Sequence, residues 1–377
     1  MLGDVETQRV GAIAVVTSAI SIHTGADGRA AGAMLGTLYN DTALAETLTD
    51  RGFTADLGAH DAMAVELIAQ FGPQGLARMR MHGVVAVLHL AQRTALVARD
   101  VVGIGSLFYG QFDGGEVWAN SLSVFEHLGL DMDSGAHNIA AHGAGYGTAV
   151  DGIWRVPPGV MAMVTEQGPQ WQPLRPTSDG QPFLREVPSE IRTADLDRAR
   201  QLLSRALGEA WHATCRAHGK PALDDAVNRH QQVLLSLLDN RSTDTAQAPL
   251  QASVATRCSL LGAASLFEEQ PWPEELAALD DKQRCAALRE HHGDQADGAP
   301  AYPTVGLPEP VLRISDRRAA QRWLRHTLLI NSLIGQALED AERKQQNLVW
   351  PHLDPAVLAL TGALPETVLT QLAAPNP

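Results

Sequence analysis

The sequence predicts an α+β protein in two parts, a first half of helices and antiparallel strands and a second half of amphipathic helices. Three observations point there. Two helix-periodic segments between Asp41 and Phe71 precede four short strand-like runs separated by polar or Gly-containing turns. A stretch rich in Pro, Gln and Gly, Pro169 to Glu190, then reads as a linker. Beyond it, Asp195 to His218 repeats Leu196, Ala199, Leu202, Leu203, Ala206, Leu207, Ala210 and Trp211 at intervals of three and four, as one long helix does.

In chain order, Ala12 to Thr17 is a short β-prone run, and the Gly- and Ala-rich stretch Thr24 to Gly36 shows little periodicity. Leu44 and Leu48 mark a short helix capped by Asp41 or Thr42 and stopped by Gly52. Ala62 to Phe71 forms a second helix that Gly72-Pro73 ends. Val84 to Leu90, Thr94 to Ala98, Ser106 to Phe112 and Val117 to Asn120 follow as an antiparallel meander.

The chain of 377 residues is long enough for two domains. With 45% hydrophobic and 19% charged residues, and no apolar run long enough to cross a bilayer, it reads as soluble and globular. The apolar run Val10 to Val16 follows acidic Asp4 and Glu6, where a secretory signal would be basic. Cys215, Cys258 and Cys285 lack CxxC pairing, which fits a cytoplasmic protein without a zinc site or a closed disulfide set. A net charge of −14 opposes binding to nucleic acid or membrane. The one basic cluster, Arg313, Arg317, Arg318, Arg322 and Arg325, reads as a solvated helix face that also carries Trp323 and Leu324.

Several blocks carry a family resemblance in their order: "LGTLYN", a helix, "RGF", "AHDA", a helix, "HGVVAVLHLAQRTALVARDVVGIGSLFY", "GGEVWANS" and "GIWRVPPG". From Leu35 to Gly159 the chain resembles the glutaminase domain of asparagine synthetases, β-lactam synthetases and lasso-peptide cyclases. The resemblance implies a four-layer αββα sandwich of the N-terminal-nucleophile (Ntn) type over residues 1–168. A linker over 169–190 and a shortened, mainly α-helical synthetase-like domain over 191–377 would follow. "ALVARDVVGIGSLFY" reads as a strand leaving through a polar Arg99-Asp100 turn, either a plain hairpin or more.

A glutaminase of this class attacks with an N-terminal cysteine whose own α-amine serves as base. This chain begins Met1-Leu2-Gly3 and has no cysteine before Cys215, so glutamine hydrolysis is excluded. The family's glutamine-holding Asn-Gly-Glu stands here as Leu35-Gly36-Thr37, while Tyr39 and Asn40 persist. Asp61 stands where the family binds the α-amine of glutamine, and it serves equally well as a helix cap. Tyr39, Asn40 and Asp61 are thus the candidate remnants of a glutamine pocket, with no catalytic residue beside them.

In the second half the family's phosphate loop, Ser-Gly-Gly-x-Asp-Ser, meets "LLSLLDNRSTD", with Leu237 and Leu238 in place of the glycines. Ser236, Asp239 and Ser242 are candidate remnants of that loop, although a helix ending at Asp239-Asn240 explains the same letters. The alternating β and α units of a parallel nucleotide-binding sheet are not evident, and Gln270 to Pro303 reads as a loop. Arg318 to Lys344 is helical. The tail "NLVWPHLDPAVLALTGALP" resembles the family's Glu-x-Arg-x-Pro-Phe-Leu-Asp motif, with Val349 in the arginine's place. Packing by Trp350, Leu353, Val357, Leu358 and Leu360 accounts for it equally.

His212, Cys215 and His218 at intervals of three read as a helix-surface coincidence, and His137 and His142 as a loop without a metal. The expected function is therefore a non-catalytic, cofactor-free partner or regulator in a biosynthetic pathway. The alternative is an ATP- and Mg-dependent amide-forming synthetase.

Overall fold

The computed structural model describes residues 6–10, 13–17, 22–53, 56–131, 148, 150–174, 189–223, 228–239, 255–260 and 346–374, with single positions between 263 and 341. The expected loop from Gln270, the helix from Arg318 and its arginine cluster, Ser242, His137 and His142 lie outside them.

β1 (Glu6–Val10) and β2 (Ile13–Thr17) pair as a hairpin. Next come β3 (His23–Thr24), β4 (Ala30–Leu38), α1 (Asp41–Thr49), α2 (His60–Phe71), α3 (Pro73–Arg78), β5 (Met81–His89) and β6 (Thr94–Arg99). β7 (Phe108–Phe112), β8 (Gly115–Ala119), α4 (Ser123–His127), β9 (Ile153–Arg155), β10 (Val160–Thr165) and β11 (Gly168–Pro173) complete the first half. Antiparallel pairing orders one sheet β11-β10-β6-β5-β4-β3 and a second β8-β7-β9.

Strand alternation builds the layers. Val84, Leu88, Val97, Tyr109, Val160 and Ala162 fill the space between the two sheets. Met34, Leu38, Val85 and Val87 point to the opposite face of the large sheet and bury Leu44, Leu48, Leu67, Ile68 and Leu76 of α1 to α3. On the outer face of the small sheet, Phe108 and Ile153 cover Phe125 of α4. The described residues thus form the four αββα layers that the resemblance implies.

One local reading needs correction. Thr24 to Gly36, aperiodic by composition, contains most of the nine-residue strand β4. Its small residues reflect close approach: a Cβ on Gly32 would meet Ala86 O at 2.2 Å, and one on Gly36 would meet His82 O at 1.9 Å. Gly72-Pro73 does end α2 at Phe71, and helical structure resumes at once. Gly72, at φ 58°, turns the chain, and Pro73 opens α3 at its first turn, where its missing N–H costs nothing.

The Arg99-Asp100 turn is a fully buried structural staple. Asp100 accepts backbone N–H from Val102, Gly103 and Ile104 on Oδ1 and from Gly83 and Gly105 on Oδ2, at 2.7–3.2 Å. Arg99 donates to the carbonyls of Gly105, Val156 and Gly103. The pair ties β5, the exit of β6 and the entry to β10 into one node.

The second half comprises α5 (Ser189–Arg192), α6 (Leu196–His218), β12 (Ala222–Leu223), α7 (Arg229–Asp239), β13 (Ala255–Cys258), β14 (Gln346–Val349), a 3-10 turn at Pro351–Leu353, α8 (Pro355–Ala363) and α9 (Glu366–Ala373). Asp195 caps α6 by accepting Arg198 N–H at 2.8 Å. The described residues of the second half are mainly helical, but the expectation that it lacks a parallel sheet is corrected by β12-β13-β14, whose strands of two to four residues are too short to show a period. The expected linker also starts late, because 169–173 lie in edge strand β11 and Leu174 is buried. One apolar core runs from α1 and α2 through Leu203, Leu207 and Trp211 of α6 to Trp350, Leu353, Val357 and Leu369. Among the described residues no single helix is long and apolar enough to cross a membrane.

Removing the Asp100 charge should disrupt the staple. Asp100→Asn places an amide donor among five N–H donors and is expected to cost about 3 kcal/mol, read as a lower urea midpoint at unchanged slope. The exposed turn variant Asp113→Asn, at φ 48°, should stay within about 0.5 kcal/mol.

Candidate functional site

The end of β4 and the start of α1 carry the residues singled out by sequence, and the chain folds them inward. Leu38 N–H donates to His60 Nδ1 at 2.9 Å, which places the imidazole hydrogen on Nε2. That nitrogen faces Asp41 Oδ2 at 3.2 Å. Arg216, in the last turn of α6, grips the same carboxylate from Nε and Nη2 at 2.6 and 2.7 Å. Burial pushes the Asp41 carboxyl up, but hydrogen bonds from His60 and Arg216 outweigh it and hold it well below the usual range. Asp41 was expected as a cap; Asn40 occupies the cap position of α1, without a side-chain bond.

Tyr39 and Asn40 also face inward. Tyr39 packs on Ala210 and Ala213 of α6, and its hydroxyl lies 2.9 Å from His82 Nδ1. His82 Nε2 donates to Leu353 O at 2.9 Å, so Nδ1 accepts from the tyrosine. Burial lowers the His82 pKa to about 4 and raises that of Tyr39 well above normal. Asn40 clamps the turn before β5, donating to Arg78 O at 2.9 Å and accepting Arg80 N–H at 2.8 Å. Thr37 lies 2.8 Å from His218 Nε2. Asn347 Nδ2 approaches His218 Nδ1 at 3.5 Å, and burial lowers that imidazole to about 4.

Asp61 stands apart from this group. It is not the cap of α2, a position held by Ala59; its Oδ1 accepts Ala62 N–H and its Oδ2 holds His23 Nε2 at 2.8 Å. Both side chains are about one-third exposed, at 31% and 30%. The hydrogen bond to Asp61 raises the His23 pKa; burial pushes the Asp61 carboxyl up, but His23 and backbone N–H groups hold it below its usual value. The three expected pocket residues are thus held by different partners, Tyr39 by His82, Asn40 by Arg78 and Arg80, and Asp61 by His23.

Leu237 and Leu238 are buried core residues of α7, so Ser236 and Asp239 lie on a helix rather than in a glycine loop. Cys215 is buried and its thiol is pushed up to about 11 by burial. Among the described residues no three His, Cys, Asp or Glu side chains are grouped to hold a metal. The tail packs as its apolar letters imply, with Trp350, Leu353, Val357 and Leu358 buried and Leu360 partly so. Asp354 caps α8 through Ala356 N and faces Arg80 Nε at 3.0 Å. Burial nevertheless raises its pKa to about 6.

Sequence reasoning missed His60, Arg80, His82 and Arg216. Arg216 sits 175 residues from its partner, and none of the four pairings is visible in the letters. Arg80 and His82 lie just ahead of the expected strand Val84 to Leu90.

Residues 8–125 match a family model described as a glutamine amidotransferase domain. Among solved structures, the chain is similar to glutamine phosphoribosylpyrophosphate amidotransferase from B. subtilis complexed with ADP and GMP. The identity is 18% and the TM-score 0.30, over 50% of this chain and 40% of that one. It is similar also to a structure described as the allosteric regulatory enzyme of purine biosynthesis, with 17% identity and a TM-score of 0.32, over 50% and 39%. The chain thus spans less than half the length of either. No curated protein matches it. Residues 8–125 are a glutamine amidotransferase-like domain without a cysteine, within a longer chain.

Arg216→Ala should leave Asp41 buried and unpaired by its main partner, at a cost of about 3 kcal/mol in chemical denaturation; Arg216→Lys should recover part of it, since an ammonium cannot reproduce the two-armed grip. Because the folded Asp41 value lies below the unfolded one, this stabilisation is present above about pH 4 and is lost as pH falls towards the folded value. Cys215 should resist alkylation at pH 8 in the folded protein and react once urea unfolds it.

Proposed function

We propose that the chain is a degenerate relative of the asparagine synthetase family that works without glutamine hydrolysis, as a non-catalytic partner or regulator in a biosynthetic pathway. One observation carries this reading: the segment that resembles the glutamine-holding block is consumed by internal contacts. Thr37 is engaged by His218, Tyr39 by His82, and Asn40 by Arg78 and Arg80, while Asp61 is engaged by His23. A glutamine ammonium would have to displace His23 to reach Asp61. Residues 8–125 hold no thiol to attack an amide, and Cys215 is buried with a raised pKa.

A second reading, an ATP- and Mg-dependent amide-forming synthetase acting through an adenylated carboxylate, is favoured by the parallel strands β12, β13 and β14. Parallel sheets with intervening helices are the frame on which many nucleotide sites are built. Against it, Leu237 and Leu238 fill the core at the expected glycine positions.

Thermal unfolding with millimolar MgATP, and separately with glutamine, discriminates the two. The non-catalytic reading predicts no shift with either ligand. A synthetase saturated to a hundred times its Kd should gain about 2.7 kcal/mol, a rise of several degrees, and that result would replace the first reading by the second.

A further inference from the structure

Two imidazoles, His82 buried and His218 partly so, bridge the same seam. His82 lies between Tyr39 of the sandwich and Leu353 O of the 3-10 turn, and His218 at the end of α6 lies between Thr37 of β4 and Asn347 of β14. Thr37 and Tyr39 are two residues apart on the chain, so both contacts load one short segment. His82 Nε2 donates to Leu353 O, which can only accept, and its Nδ1 meets the Tyr39 hydroxyl; His218 lies with Nε2 on the Thr37 hydroxyl and Nδ1 on the Asn347 side-chain amide, whose Nδ2 donates in this orientation and whose Oδ1 would accept in the flipped one. The cost of protonation is therefore the charge itself, which on His82 would sit in a dry interior.

We propose that His82 and His218 form an acid-operated lock between the sandwich and the C-terminal segment, closed while both rings are neutral and opened as they take up protons. Burial, more than the surrounding charges, keeps His82 neutral at neutral pH. The Asp100 carboxylate, itself surrounded by five backbone N–H groups, favours protonation of His82, the Arg80 cation opposes it more weakly, and burial outweighs both. His218 is faced by His60, and the Asp41–Arg216 pair lies beside His60.

One group works the other way. Asp354 faces Arg80 and senses Glu209, and its folded pKa is raised, so the closed state gains from its protonation as pH falls. The sign for the imidazoles is opposite: their folded values near 4 lie below the ordinary 6.5, so closure is lost as pH falls between those values. If the groups regain ordinary values on opening, each imidazole weakens closure about 30-fold at pH 5 and Asp354 strengthens it about tenfold. The net effect is a weakening of about 100-fold.

Hydrogen exchange of the full chain from pH 7.5 to 4.5, normalised for intrinsic rates, tests the lock. Amides of 346–373 should lose about 50-fold protection between pH 7 and pH 5 while those of β5 and β6 keep theirs. His218→Gln and His82→Gln should each remove about 20-fold of that loss, and either variant alone decides the matter if the other fails to fold. Asp354→Asn, which removes the opposing proton uptake, should enlarge the loss about tenfold. Equal loss across tail and sandwich at one pH, or a full step retained in a glutamine variant, would overturn the proposal.

Discussion

The carboxylate of Asp41 is the point on which the two halves of the chain are fixed to each other. It begins the first helix of the sandwich, yet its partners are His60 on α2 and Arg216 at the far end of α6. With 2% of the side chain exposed, the charge has no recourse to solvent, so the geometry of all three groups is mutually required. Setting Arg216 sets the end of α6, and that places His218 against Thr37 and Ala210 and Ala213 against Tyr39. The tail then closes over the same region, with Leu353 O on His82 and Asp354 against Arg80.

The amidotransferase-like domain is held by contacts of its own. The sandwich depends on the Arg99-Asp100 node and on apolar layers, none of which requires a nucleophile. Thr37, Tyr39 and Asn40 lie at the edge of an internal seam, and their polar groups are paired there, as buried polar groups must be.

What could be read from the letters follows the length and period of each element. α1, α2 and α6 were legible because their apolar repeats span two turns or more, and the tail because Pro351, Leu353 and Asp354 form a turn with its own cap. β4 was not, since alanine and glycine are chosen there for close backbone approach and leave no alternation to detect. The parallel strands β12 to β14 are shorter than any usable window. The site suffered most: Tyr39, Asn40 and Asp61 stand out in the letters, but their partners His82, Arg80 and His23 are joined to them by tertiary contact alone.

A shared core and a polar seam together imply that the sandwich and the C-terminal segment fold as one cooperative unit at neutral pH. Differential scanning calorimetry of the full chain at pH 7.5 measures this most directly. A single transition whose van't Hoff and calorimetric enthalpies agree is the predicted result. Two separable transitions, or a calorimetric enthalpy well above the van't Hoff value, would contradict it and reduce the seam to a surface contact between independent domains.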